Sequence, residues 1–235
     1  MPVISASFLS TPRVVATVHR PEDLQFLARA DPGPLCDVLE FRLDNLAPIA
    51  AAAADTAAKL ARQGFPLLIT ARHPAEGGAN DLSVAERESL LRQFLPLATL
   101  IDIEVRALDE LSGVLASARD EGVTVVASSH DFDGTPPASA WRAARDCARN
   151  AGAEVLKLAL RLDRLPDLFE LAAWVESLRS SGENIAAMGM GPLGKLSRLM
   201  LARAGSCLNY GFLEKANAPG QWPASELKRL LAEIL

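Results

Sequence analysis

Short apolar runs alternate along this chain with longer segments in which apolar residues recur every three or four positions. The runs have strand length and composition: VVATV (14–18), VLEFRL (38–43), PLLITAR (66–72), LIDIEV (100–105), VTVVASS (123–129), EVLKLAL (154–160), NIAAMGM (184–190) and SCLNYGF (206–212). Between them, Leu24, Leu27 and Ala28, or Leu90, Leu91, Phe94 and Leu95, or Leu168, Leu171, Ala172 and Val175, follow the helical period. Pro21 with Glu22, Ser83 with Glu86 three residues on, and Pro137 ahead of Ala138 and Ser139 are helix-start signals. Gly64, Gly122, Gly152 and Gly182 fall where a helix hands over to the next strand. Eight strand-helix units without a composition break or a Pro/Ser-rich linker predict an α/β fold, a (β/α)8 TIM barrel, as a single domain over 1–235. The rival is an open dinucleotide-binding sheet, which carries GxGxxG after its first strand; here Val18 is followed by HRPEDL.

Composition narrows the function classes. The 235 residues are 49% hydrophobic but only 5% aromatic, so the core is mostly Ala, Leu and Val. A net charge of -5 with no basic block argues against nucleic acid and anionic membrane as partners. No run reaches the roughly 18 apolar residues that span a bilayer, and MPVISASFLSTPR lacks the basic start and apolar stretch of a signal peptide. Cys36, Cys147 and Cys207 are odd in number and lie in or beside apolar runs. They read as reduced core thiols of a cytoplasmic protein.

The run AEVLKLALR (153–161) places Lys157 inside what otherwise reads as a fully buried strand. Burying an ammonium costs several kcal/mol unless it is paired or neutral, and a free amine attacks ketones to form a Schiff base. A strand-end lysine that snorkels to water is the simpler alternative. In a barrel, catalytic side chains gather at the C-terminal ends of the strands, where this chain concentrates its polar residues. Glu40, Arg42 and Asp44 close strand 2; Thr70, Arg72 and Glu76 follow strand 3; Asp102 and Glu104 lie in strand 4; Ser128, Ser129, His130 and Asp131 end strand 5.

Glu40 and Arg42, two apart, share a strand face and form either a polar floor for hydroxyls or a structural ion pair. Arg72 could clamp a carboxylate with two hydrogen bonds or be an exposed strand-end arginine. Glu76, before Gly77 and Gly78, is by itself a solvated turn residue as readily as a functional one. His130, one of three histidines, would project from the barrel mouth one strand from Lys157, where imidazole can take and return a proton; a structural histidine is the alternative. No CxxC, HxxxH or HExxH pattern supports a metal. MGMGPLGKLSR lacks the GxxxxGK[ST] order, because Leu196 follows Lys195; it opens a helix and leaves Ser197 and Arg198 near the mouth.

Taken together, EFRLD, TARHPAEGG, DIE, SSHDF with Thr135-Pro136, the strand-6 lysine, MGxxGxxSR and APGQ at 218–221 appear in an order and spacing that resembles type I 3-dehydroquinate dehydratases from about Val14 to Gln221. The resemblance implies that Lys157 forms a Schiff base with the C3 ketone of 3-dehydroquinate. It gives His130 the removal of a C2 proton and its later delivery to the departing C1 hydroxyl, and Glu76 the tuning of that imidazole. Glu40, Arg42 and Arg72 fall where the family binds ring hydroxyls, Arg198 and Gln221 match substrate-holding groups, and Met188 matches an apolar wall. The protonated imine serves as the electron sink, so no metal or cofactor is implied. The product is 3-dehydroshikimate, a shikimate-pathway intermediate, and family members commonly pair as homodimers. One departure stands out: Asn217 occupies the place of the family's serine before APGQ, keeping a donor and an acceptor on a longer arm. Residues 158–164, LALRLDR, also differ from the family's usual pattern. Two other readings share the pattern: a non-catalytic sensor that binds a quinate-type ligand, and a class I aldolase or related imine enzyme on the same barrel.

Overall fold

The computed structural model describes residues 7–216, 218 and 220–235. Eight parallel strands follow one another as β1 (Arg13–Val18), β2 (Val38–Arg42), β3 (Leu67–Thr70), β4 (Leu100–Glu104), β5 (Thr124–Asp131), β6 (Val155–Arg161), β7 (Asn184–Met190) and β8 (Leu208–Phe212). They pair in the order β7-β6-β5-β4-β3-β2-β1-β8. The intervening helices are α1 (Pro21–Leu27), α2 (Leu43–Leu46), α3 (Ala50–Arg62), α4 (Val84–Phe94), α5 (Ser112–Asp120), α6 (Ala138–Asn150), α7 (Leu165–Ser180) and α8 (Gly194–Arg203), and α9 (Ala224–Ile234) follows β8. This is the (β/α)8 barrel that the alternation predicts, nearly closed.

Each of the eight runs expected from the sequence carries a strand, with edges moved by identifiable contacts. β3 stops at Thr70 because side chains take over the next amides: Arg72 N–H donates to Asp44 Oδ1 at 3.2 Å and His73 N–H to Glu104 Oε1 at 2.8 Å. β5 runs on to Asp131 because its register with β6 continues through His130 opposite Ala159 and Asp131 opposite Leu160. The helix signals also hold. Ser83 and Glu86 form a reciprocal capping box on α4. One cysteine reading needs correction: Cys36 and Cys207 are buried, but Cys147 is exposed, because it sits on the outward side of the amphipathic α6.

Side chains on a strand alternate between faces, and along the inward face the chemistry changes rung by rung. Val15, Val38, Leu68, Leu100, Val126 and Val155 pack together inside the barrel, with Leu9 from the 3-10 turn Phe8–Ser10 joining them. Two residues further along the same strands stand Thr17, Glu40, Thr70, Asp102, Ser128 and Lys157, all buried. Another step reaches Arg42, Arg72, Glu104, His130 and Ala159. An apolar floor thus lies under a layer of hydroxyls and charges.

Between β7 and β8 the ring is joined by fewer backbone bonds than elsewhere. Cys207 N–H donates to Ile185 O at 2.8 Å, and the buried Ser206 hydroxyl accepts from Ala187 N–H at 3.0 Å. Removing that hydroxyl leaves a buried amide without a partner, which costs roughly 1–3 kcal/mol. Ser206→Ala is therefore expected to lower the urea midpoint by a loss of that size, whereas Ser181→Ala, at an exposed helix end, changes it little; equal midpoints for wild type and Ser206→Ala would remove the hydroxyl from the seam.

Candidate active site

The barrel mouth opens over a cavity of about 280 Å³ that both Lys157 and His130 line. Ser128 and Lys157 are register partners, as are His130 and Ala159, so His130 stands one rung above Lys157 on the adjacent strand. Lys157 is 3% exposed and does not snorkel. Its Nζ donates to Asp102 Oδ2 at 2.9 Å, lies 3.8 Å from Glu40 Oε1 and sits 4.2 Å from the Tyr210 ring centroid. The desolvated ammonium is paired, which is what its place in the barrel requires.

Asp102 is itself strongly held. Its Oδ1 accepts from Arg72 Nη1 at 2.9 Å and from the Ser128 hydroxyl at 2.5 Å. Burial alone would raise its pKa, but the Arg72 guanidinium and the Lys157 ammonium hold the carboxyl far below the usual carboxylate range. Arg72 Nη1 also bonds Glu104 at 2.9 Å and Ser128 at 2.7 Å. Glu104 in turn pairs with Arg87, which reaches in from α4 and also donates to Ala71 O.

Glu76 is placed by a 3-10 turn, Pro74–Glu76, capped when Ala75 N–H donates to His73 Nδ1 and ended by Gly77 at φ +81°. That left-handed conformation suits glycine. Glu76 Oε2 accepts from the His130 backbone N–H at 2.9 Å and lies 2.8 Å from His130 Nδ1. An oxygen already accepting an amide proton is best served by a proton on Nδ1, so we assign the tautomer with Nε2 as the free basic nitrogen. Burial, followed by the charges of Arg72 and Lys157, pushes the imidazole well below its ordinary pKa, so the ring is neutral near pH 7. Burial raises the Glu76 carboxyl to about 7 against the pull of Arg72.

On the β7–β8 side, Arg198 is 2% exposed and lines the cavity. Its guanidinium donates to Tyr210 O, Gly189 O, Gly194 O and Gly220 O at 2.7–2.8 Å. No carboxylate among the described residues pairs with it, and burial alone lowers its pKa to about 10. Gly194 and Gly220 let two backbones meet there: a Cβ on Gly194 would lie 2.7 Å from Gly220 Cα. This contact carries the chain to Gln221, whose Oε1 accepts from Ala218 N–H at 3.3 Å.

A family model for type I 3-dehydroquinase matches residues 14–234. The chain belongs to that family. The 3-dehydroquinate dehydratase of Methanosarcina mazei is 35% identical over 204 residues, 83% of this chain and 84% of that protein. A catabolic 3-dehydroquinate dehydratase of Acinetobacter baylyi is 32% identical over 210 residues, 84% and 76% of the two chains. Among solved structures, the 3-dehydroquinate dehydratase of Geobacillus kaustophilus superposes with a TM-score of 0.83 at 26% identity, over 95% of this chain and 91% of that one. The type I enzyme of Clostridium difficile, solved with covalently modified comenic acid, gives 0.84 at 25% identity, over 95% and 92%.

In this type I dehydroquinase family member the residues named from sequence converge on one cavity. Lys157, His130, Glu76, Glu40, Arg42, Arg72, Met188, Arg198 and Gln221 all line the one cavity; Asn217 lies outside the described residues. The structure changes the detail. The carboxylates clamped by Arg72 are the protein's own. Arg42 is held by both oxygens of Asp44 and by Gly77 O. Glu40 accepts from Thr17 at 3.1 Å and Thr70 at 3.0 Å. Sequence reasoning gave no role to Asp102, Ser128, Thr17 or Tyr210. All four stand two residues beyond an apolar residue of the barrel interior, Leu100, Val126, Val15 and Leu208, a spacing that points inward only once the register is known.

The raised Glu76 pKa has a consequence for stability. The folded protein keeps this proton up to about pH 7, while an ordinary glutamate releases it near 4.5. The resulting stabilisation is full below 4.5 and is lost as pH rises through 7. Comparing wild type with Glu76→Gln, the difference in unfolding free energy is expected to shift against wild type by roughly 3 kcal/mol between about pH 4.5 and pH 8; a pH-independent difference in denaturant titrations would contradict the assignment.

Proposed function

We propose that this chain dehydrates 3-dehydroquinate to 3-dehydroshikimate through an imine on Lys157, with His130 Nε2 carrying the proton. The observation that carries the reading is a buried lysine amine in the wall of a closed-ended cavity, one rung below a neutral imidazole on the neighbouring strand. An imine-forming nucleophile needs a desolvated amine, and a general base needs an unprotonated nitrogen at working pH.

The balance runs in four steps. His130 Nε2 first takes one proton from the Lys157 ammonium, the freed Nζ lone pair bonds C3, and the ketone oxygen leaves as water with that proton and a second one from nitrogen, so the positive charge ends on the iminium and His130 is neutral again. His130 Nε2 takes a C2 proton, and the electron pair of that bond moves toward nitrogen as an enamine. The C1 hydroxyl then leaves with a proton returned by His130, giving the conjugated iminium. Hydrolysis releases the enone and restores the amine. Glu76 keeps the Nδ1 proton in place, so that Nε2 remains the base throughout.

The cavity lining supports this substrate class. Glu40, Arg42 and Arg72 face ring hydroxyls, Met188 lies against the ring, and Arg198 with Gln221 takes the carboxylate. Dehydroquinate offers these groups in one small molecule. The same reading makes the chain a shikimate-pathway lyase, a single domain over 1–235, cytoplasmic and homodimeric. No helix among the described residues is long and apolar enough to cross a membrane. Leu165 and Phe169, one turn apart on α7 and exposed, supply apolar surface for such a pair.

Borohydride added with 3-dehydroquinate is expected to leave ligand mass on the peptide carrying Lys157; an unmodified peptide there overturns the imine. His130→Ala should still be trapped in this way while losing at least ~100-fold in turnover, the usual scale of general acid-base catalysis. Arg198→Met should raise KM by about tenfold or more, since a charge-assisted bond is worth roughly 1.5–3 kcal/mol. An unchanged KM would move the carboxylate elsewhere.

A further inference from the structure

We propose that Asp102 is a catalytic residue of this site: the fixed counter-ion that keeps the Lys157 imine protonated through the reaction. The inference rests on Lys157 being the imine-forming residue and adds a group outside the lysine, histidine and glutamate already given roles.

Geometry carries it. Asp102 Oδ2 accepts from Lys157 Nζ at 2.9 Å, and Nζ is the reacting atom. Oδ1 is occupied on its other side by Arg72 Nη1 at 2.9 Å and by the Ser128 hydroxyl at 2.5 Å. The carboxylate therefore cannot turn away, and one oxygen is left for nitrogen alone. Its neighbours are themselves locked: Arg72 is held by Glu104, and Glu104 by Arg87 on α4. Tyr210 presents its ring to the same nitrogen at 4.2 Å, and a ring face favours a cation. The two groups in direct contact with Nζ, the Asp102 carboxylate and the Tyr210 ring face, both favour a nitrogen that stays positive.

The reaction needs that charge. An iminium draws electrons from C2, whereas a neutral imine does so poorly, and loss of its proton stops the chemistry before His130 can act. The charged groups around the nitrogen come from several elements: Glu40 and Arg42 from β2, Arg72 from just after β3, Asp102 from β4, His130 from β5, with Tyr210 from β8. Arg42 and Arg72 oppose a positive nitrogen, and His130 is uncharged. Glu40 is 3.8 Å away and shared with Thr17 and Thr70. Asp102 is the acidic group in direct contact, and a carboxylate that stays ionised far into acid cannot remove the proton it faces. It stabilises the iminium as charge returns at each of the two stages where the nitrogen is positive, and it does so without reorganising.

The test separates this inference from the reading under it. Cyanoborohydride reduces iminium ions in preference to neutral imines, so trapping on Lys157 with the product enone, followed against pH by intact mass, reports the imine's protonation. Asp102→Asn keeps the side-chain volume and removes the charge. Its trapping midpoint is expected at least one pH unit below that of wild type, with kcat lowered tenfold or more and His130-dependent turnover still present at the acid end. A structural role alone would lower kcat without moving the midpoint, and an unmoved midpoint overturns the proposal. Should the variant fail to fold, nitrogen-15 spectra of wild-type enzyme with labelled lysine decide: a protonated imine signal persisting to about pH 9 supports the counter-ion, and a neutral imine by pH 8 overturns it. Absence of any adduct on Lys157 would instead overturn the imine mechanism itself.

Discussion

The contact on which the rest of this structure depends is the pairing of Lys157 with Asp102 inside the barrel. An ammonium in a strand buried on both sides is stable only with a partner, and a partner so placed needs its own. The chain resolves this by a ladder of alternating charge. Lys157 meets Asp102, Asp102 meets Arg72, Arg72 meets Glu104, and Glu104 meets Arg87. The ladder crosses from β6 to β4, to Arg72 just after β3, back to β4 at Glu104, and leaves the barrel at α4. Removing any member strands a buried charge, so the ladder binds the nitrogen of the proposed imine and the fold into one set of constraints.

Its position on the barrel gives it reach. The apolar floor of Val15, Val38, Leu68, Leu100, Val126 and Val155 excludes water from below, so the charges above it act in a medium where they are felt strongly. The same surroundings hold His130 neutral: desolvation and two nearby cations outweigh the acidic groups. An imidazole that is unprotonated near pH 7, as the proposed base must be, follows from the electrostatics that also fix the Lys157 amine. Glu76, pushed toward neutrality by burial, comes from the loop after β3 and completes the site from outside the ladder.

Much of the architecture was readable from the run of apolar and periodic segments, because eight strand-length runs separated by capped helices leave few arrangements. Lys157 and His130 stood out because each interrupts or ends such a run. Their partners did not. In a strand buried on both faces the inward and outward residues are alike, so nothing in LIDIEV says that Asp102 faces inward until the register is known. Arg87 was hidden more deeply, since a lysine- or arginine-bearing helix looks solvated, and only tertiary packing turns that side chain toward Glu104. Arg198 was found through resemblance, but its environment of four backbone carbonyls could not be read from residues far apart in the chain. Cys147 went the other way, an apolar-looking position that the turn of α6 exposes.

The two sides of the cavity differ in a way that orients a ligand. On the β2–β6 side, cations and carboxylates are matched, and the site offers a nucleophile and a base in a balanced field. On the β7–β8 side, Arg198 is buried with its charge met only by carbonyl dipoles, and such a cation gains most from an incoming anion. Met188, Met190 and Ala159 form an apolar wall between them. On the proposed function, a substrate with a carboxylate at one end and a ketone at the other enters anion-first toward Arg198, which turns its ketone toward Lys157. Orientation thus follows from leaving one charge unmatched while matching all the others.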